Sequence, residues 1–242
     1  MNRRTFLKTS AGVAAAAAVT GARASAGEFT GKIKKAVKYH MIRVDATPLE
    51  KLRMLKALGF AGVEPKFDEK VEPAELLAAS KETGVAIHGV VLGRADGIAA
   101  AVDRALFYGA SSVLVVAGRV DENTYYAENY KTTQAKIREA APYAEEKKID
   151  LLVENVWNNF LLSPLEMARY LDEIGSDRVG AYFDVGNVVR FGWPEHWISA
   201  LKHRIKKLDI KEYDRKKQRN DGLWEGFKSK IGDGSVGSGA VR

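Results

Sequence analysis

The sequence predicts an α/β fold, a parallel TIM (β/α) barrel, on three observations. Apolar strand-like runs alternate strictly with helical patterns along the chain. Polar and charged residues recur at the ends of many of those runs, where such barrels carry their chemistry. No Gly-x-Gly-x-x-Gly loop follows the first run, which disfavours the alternative of an open doubly wound sheet. Seven strands are readable and no eighth follows, so an incomplete barrel is expected. The 242 residues, 46% of them hydrophobic, suffice for one large core.

Residues 1–26 stand apart from this fold. Asn2-Arg3-Arg4-Thr5-Phe6-Leu7-Lys8 is a twin-arginine pattern, followed by the apolar run Ala11 to Val19 and the small-residue site Ala24-Ser25-Ala26. The three regions come in the order of an export signal, with cleavage expected before Gly27. The division is therefore a signal peptide over 1–26 and a barrel domain, truncated at its C-terminus, over 27–242. This route places the mature protein in a bacterial periplasm or cell envelope, delivered already folded.

The remaining composition narrows the classes. The chain has no cysteine, which excludes disulfides and thiolate metal sites. Removing Arg3, Arg4, Lys8 and Arg23, which no acid in the signal offsets, lowers the net charge from +7 to +3. The other basic residues are scattered, apart from Lys206-Lys207 and Arg215-Lys216-Lys217, too thin a footprint for a nucleic-acid groove. No run after the signal is apolar for the roughly 18 residues a membrane span needs.

Taken in order, strands are expected at about Ala36 to Ile42, Phe60 to Glu64, Val85 to Val91, Ser112 to Ala117, Asp150 to Asn155, Gly180 to Asp184 and Ile205 to Ile210. Two of the intervening helices announce their starts. Thr47-Pro48-Leu49-Glu50 and Ser163-Pro164-Leu165-Glu166 each combine a capping hydroxyl, proline at the first helical position and glutamate at the third. Gly59, Gly84, Gly109 and Gly175 stand where helices should stop. The last stretch, Tyr213 to Arg242, is rich in lysine and glycine, and from Ser235 it reads as the start of a final helix that is cut off.

The strand ends carry the candidate chemistry. They offer His40, Glu64, His88, Glu154 with Asn155, Asp184 with Asn187, and Asp209 with Lys211 and Glu212. A carboxylate closing an apolar run is costly unless a charge or a metal compensates it. Glu154, Asp184 and Asp209 together suit a hard divalent cation, Mn or Mg before Zn or Co. For Glu154 and Asp184 the structural alternative is a buried ion pair with Lys or Arg. Asp209 could simply pair with Lys207 or Lys211, and His40 and His88 could be hydrogen-bonded core histidines.

Three segments then carry a resemblance: Glu154-Asn155-Val-Trp157-Asn158-Asn-Phe160-Leu-Leu-Ser163-Pro164, Tyr182-Phe183-Asp184-Val-Gly-Asn187, and Arg204-Ile205-Lys-Lys-Leu-Asp209-Ile-Lys211. From about Lys35 onward the chain resembles the xylose-isomerase-like sugar isomerase/epimerase family. The resemblance implies a TIM barrel binding one divalent cation, with proton transfer beside a sugar carbonyl. It makes Glu154 the first ligand and Asp184 the second, and it puts Asp209 where the family usually has a histidine. The family's fourth ligand, a Glu ending the eighth strand, has no counterpart.

Glu154 is then the candidate base, with His40, Glu64, His88, Asn155, Trp157, Asn158 and Lys211 as candidate substrate contacts. The expected partner is a small-molecule sugar, with no nucleic acid, and an oligomer is compatible. The alternatives are a related lyase or dehydratase on a keto-sugar, or a non-catalytic carbohydrate-binding barrel that lost part of its metal site. An endonuclease with a histidine-rich metal centre is disfavoured by a total of four histidines.

Overall fold

The computed structural model describes residues 31–236. The export signal expected over 1–26 and the end of the expected final helix, 237–242, lie outside that range.

Among the described residues eight short strands occur, separated by helices except between the third and fourth. They are β1 (Ala36–Lys38), β2 (Gly62–Glu64), β3 (Ala86–Ile87), β4 (Val90–Val91), β5 (Ser112–Val115), β6 (Asp150–Glu154), β7 (Val179–Asp184) and β8 (Ile205–Asp209). All pairings are parallel, in the orders β1-β2-β3 and β4-β5-β6-β7-β8. The strands β3 and β4 are two halves of one barrel position. The first half pairs back to β2 and the second forward to β5. The seven strands expected from sequence thus occupy seven consecutive staves. Among the described residues no ladder joins β8 to β1, so the barrel is open there.

Gly89 lies in the break between β3 and β4. A Cβ at this position would lie 2.3 Å from Glu64 Oε1 and 2.9 Å from Ser112 Oγ, so only glycine lets those side chains pass. Further along, Val91 returns to the lattice through its N–H to the Pro65 carbonyl and an isolated bridge with Lys66.

The helices pack outside: α1 (Pro48–Ala57), α2 (Pro73–Thr83), α3 (Ile98–Tyr108), α4 (Tyr126–Lys147), α5 (Pro164–Ile174), α6 (Val185–Val188), α7 (Pro194–Leu201) and α8 (Arg215–Asp221). The start of α1 is the expected reciprocal cap: Glu50 N–H donates to Thr47 Oγ1 at 3.3 Å and Thr47 N–H donates to Glu50 Oε2 at 2.9 Å. At α5 only half of the box forms. Ser163 Oγ caps Glu166 N–H, while the Glu166 carboxylate accepts from Tyr126 Oη and Leu162 N–H instead. Gly175 closes α5 at φ +76°, a left-handed position that costs other residues strain.

Pleat alternation sorts the strands into two cores. Leu151, Val153, Ala181 and Phe183 face the helices and join the large outer cluster. Leu114, Leu152 and Tyr182 face inward as a small apolar cluster with Val91 and Val116. The inward phase of β6 therefore ends on Glu154 and that of β7 on Asp184.

Candidate active site

Each site acid is the last residue of its strand and continues an inward-facing row. Register places Glu154 opposite Tyr182, Tyr182 opposite Lys207, and Asp184 opposite Asp209. Single oxygens of Glu154, Asp184 and Asp209 lie within 4.8 Å of one another. The structure thus brings together the three carboxylates expected from sequence.

Asp184 is fully buried and held from both sides. Its N–H donates to Asn155 Oδ1 at 2.8 Å and its carbonyl accepts from Asn155 Nδ2 at 2.8 Å. Oδ1 accepts from Asn187 N–H at 2.9 Å, which makes Asp184 the cap of α6. Lys211 Nζ pairs with Oδ2 at 2.6 Å. Burial pushes the carboxyl above the usual range, Lys211 opposes this, and Asp209 adds to it.

Glu154 and Asp209 share one cation that sequence reading missed. Lys38, the last residue of β1, places Nζ 2.5 Å from Asp209 Oδ2 and 3.4 Å from Glu154 Oε1, across the open side of the barrel. Asp209 thus pairs with neither Lys207 nor Lys211. Burial works to lower the Lys38 ammonium, but Glu154 and Asp209 outweigh it and hold it above the ordinary lysine range. Burial also pushes Glu154 up, with Lys38 opposing and the other two carboxylates adding. The ion-pair alternative is therefore realised, with two ammoniums facing three carboxylates.

One pleat deeper lies a second polar group. Lys207 Nζ donates to Ser112 Oγ at 2.6 Å and to the His88 carbonyl at 2.7 Å, and sits 2.9 Å from His88 Nδ1. Burial first, and the Lys207 charge second, lower His88 to about 4, so the ring is neutral at pH 7. Glu64, 1% exposed, accepts from Tyr182 Oη at 3.2 Å through Oε2, and its Oε1 has no partner among the described residues. Burial raises this carboxyl as well.

The other candidates are spread more widely. His40 is exposed on the 3-10 turn Tyr39–Met41 that ends the first strand early. Both side-chain amide atoms of Asn155 serve the Asp184 backbone, so it holds the end of β7 in place. Asn158 donates to the Gly118 carbonyl at 2.7 Å and ties two mouth loops together. The Trp157 ring packs among Tyr213, Trp224 and Phe227, with ring centroids 4.8 to 5.4 Å apart, and its indole N–H donates to the Asn187 carbonyl. Glu212 accepts from the N–H groups of Gly232 and Val236 and so fastens the Gly232-Asp233-Gly234 loop.

A signal for the missed residues exists in the sequence. A lysine two residues before His40 inside a strand is as anomalous as an acid at a strand's end, and Lys207 shares the i, i+2 face of Asp209.

Comparison with known proteins places this arrangement. The family model described as Xylose isomerase-like TIM barrel matches residues 52–242, and that of the TAT (twin-arginine translocation) pathway signal sequence matches residues 1–20. No curated protein matches the chain. Among solved structures, the 3-keto-D-glucoside 4-epimerase from E. coli superposes with a TM-score of 0.64 at 16% identity, over 81% of this chain and 88% of that one. A D-allulose 3-epimerase from Methylomonas sp. gives 0.67 at 16%, over 86% and 77%. A xylose isomerase-like TIM barrel protein from Mycobacterium smegmatis, solved in complex with magnesium, gives 0.61 at 18%, over 75% of each chain. At these identities the likeness shows the fold.

Proposed function

The chain belongs to the xylose isomerase-like TIM barrel family, and from that premise we propose that it is an exported, metal-dependent isomerase or epimerase of a sugar or keto-sugar. The observation that carries this reading is the convergence of single oxygens of Glu154, Asp184 and Asp209 within 4.8 Å of one another at one mouth.

The donor set fits a hard divalent cation. Three carboxylates with no thiolate favour Mn or Mg over Zn, and all three close adjacent strands at the same mouth. Such an ion, when bound, polarises a sugar carbonyl and its neighbouring hydroxyl and lowers the cost of charge on their oxygens.

The chain's own residues supply the rest. Glu154 takes the proton from the carbon beside the carbonyl as the electron pair shifts towards the carbonyl oxygen. A solvent proton added to that carbon from the other face gives the epimer; a proton added to the former carbonyl carbon, with the hydroxyl proton passing to the former carbonyl oxygen, gives the isomer. Burial, which raises the Glu154 carboxyl, moves it towards the range in which a base works best at neutral pH. Lys211 stands beside Asp184 as a hydrogen-bond donor for a sugar oxygen. Asn155 holds the Asp184 backbone in place, and the inward wall of Tyr182, Leu152 and Leu114 excludes water from below.

Solvent-deuterium exchange tests this reading. Incubated in D2O with Mn2+ and a panel of ketoses and 3-keto-glucosides, the wild type should label one substrate carbon. Glu154→Gln should label it about 10²- to 10⁴-fold more slowly while staying folded. Equal labelling by the two proteins would place the base elsewhere.

One observation favours a second reading, a non-catalytic carbohydrate-binding barrel: two lysines already partner the three carboxylates. In that case sugars bind without Mn2+, and no carbon exchanges.

A further inference from the structure

The most unusual group at the mouth is Lys38. From β1 its ammonium reaches across the open side of the barrel to bridge Asp209 on β8 and Glu154 on β6, and its side chain is only 15% exposed. A cation between those two oxygens occupies the place a divalent ion would take. An ammonium has one charge and donates hydrogens, whereas a divalent ion accepts lone pairs from all three carboxylates. The two cannot share the same oxygens.

Lys38 also has somewhere to go. It is the register partner of Glu64 on the adjacent strand. Cross-strand partners have Cβ atoms close enough for their side chains to meet. Both flank Tyr182: Lys38 Nζ lies 5.7 Å from the ring centroid, and Glu64 accepts from the hydroxyl. Glu64 is buried, and its Oε1 has no hydrogen-bond partner among the described residues. A buried carboxylate oxygen in that state gains from an arriving ammonium.

We propose that Lys38 is an exchangeable counter-ion, its ammonium filling the cation position between Glu154 and Asp209 and moving to Glu64 when a divalent ion binds. The proposal rests on the metal-site reading above. The tethered charge keeps three converging carboxylates compatible with folding before a metal is present, and it sets the affinity by competing for their oxygens. The four-carbon stem of lysine permits the move without any shift of β1.

Mn2+ titration of the folded chain, followed by calorimetry and by the electron paramagnetic resonance signal of the free ion, tests it. Lys38→Met should bind Mn2+ on the order of tenfold to a hundredfold more tightly than the wild type, because a like charge leaves the site. Lys38→Arg, which keeps the charge and folds if bulk is tolerated, should show no gain. Glu64→Gln should weaken Mn2+ binding severalfold in the wild-type background and leave it unchanged in the Lys38→Met background, a coupling that a merely structural role for Glu64 would not produce. Wild-type-like affinity in Lys38→Met, with Asp184→Asn still abolishing binding, overturns the proposal and leaves the metal site standing. Equal effects of Glu64→Gln in both backgrounds overturn the exchange with Glu64. Absence of Mn2+ binding in wild type and Lys38→Met alike overturns the metal-site reading and this proposal with it.

Discussion

A buried charge needs either a partner or a proton, and the interior of this barrel uses both. Asp184 and Glu154 stand among ammoniums that offset part of their desolvation, whereas His88 stays neutral beneath the Lys207 ammonium. Its folded value of about 4 lies below the ordinary 6.5. A depressed value contributes stability that is present above pH 6.5 and lost as pH falls through about 4. The full loss is on the order of 3 kcal/mol. His88→Gln keeps an acceptor for Lys207 but cannot titrate. Urea unfolding at pH 7 and at pH 4 should therefore show the wild type losing that much more stability than the variant. Comparing the two proteins cancels the opposite trend of Glu64, whose raised carboxyl favours the fold at low pH. Parallel pH profiles would mean that the His88 ring is not buried against Lys207.

At the scale of elements, the third barrel stave is the weak one. It is split at Gly89, where Glu64 and Ser112 crowd the backbone from neighbouring strands. Gly89→Ala puts a methyl 2.3 Å from Glu64 Oε1, and overpacking of this kind costs about 1 to 3 kcal/mol. The clash is with a side chain, so Glu64→Ala should relieve it. The double variant is expected to be more stable than the sum of the single losses predicts, as measured by thermal unfolding of all four proteins. Additive losses would mean that the backbone, and not Glu64, requires glycine. The strands on either side were legible in the sequence to within a few residues, because their apolar runs are bounded by clear helix signals. The split was not, since the pressure on Gly89 comes from residues 25 positions before it and 23 after it, brought together only by the sheet.

For the whole molecule, the leader decides where the barrel works. The match to the twin-arginine signal over residues 1–20 assigns export by that route, and among the described residues no helix is long and apolar enough to cross a membrane. Replacing both Arg3 and Arg4 by lysine should leave the protein in the cytoplasm at its precursor size, as read by cell fractionation and immunoblotting. Unchanged export of the double variant would assign the leader to another pathway. Delivery in the folded state fits a barrel whose acid cluster carries its own counter-ions, Lys38 and Lys211.

The sequence by itself determined the parallel α/β barrel, the leader and the three strand-end carboxylates. Each of these is a local pattern: a run of apolar residues, the order of basic, apolar and small segments, an acid where a strand should stop. Only the tertiary structure decided which bases answer those acids. Lys38 meets Glu154 across 116 positions and Asp209 across 171, and Lys207 meets His88 across 119. It also showed what Asn155 and Trp157 touch, the Asp184 backbone and an aromatic cluster. The physical reason is that strand order and pleat phase fix which side chains point inward, while curling the sheet fixes which inward side chains meet. Local sequence encodes the first, and the curvature of seven staves determines the second.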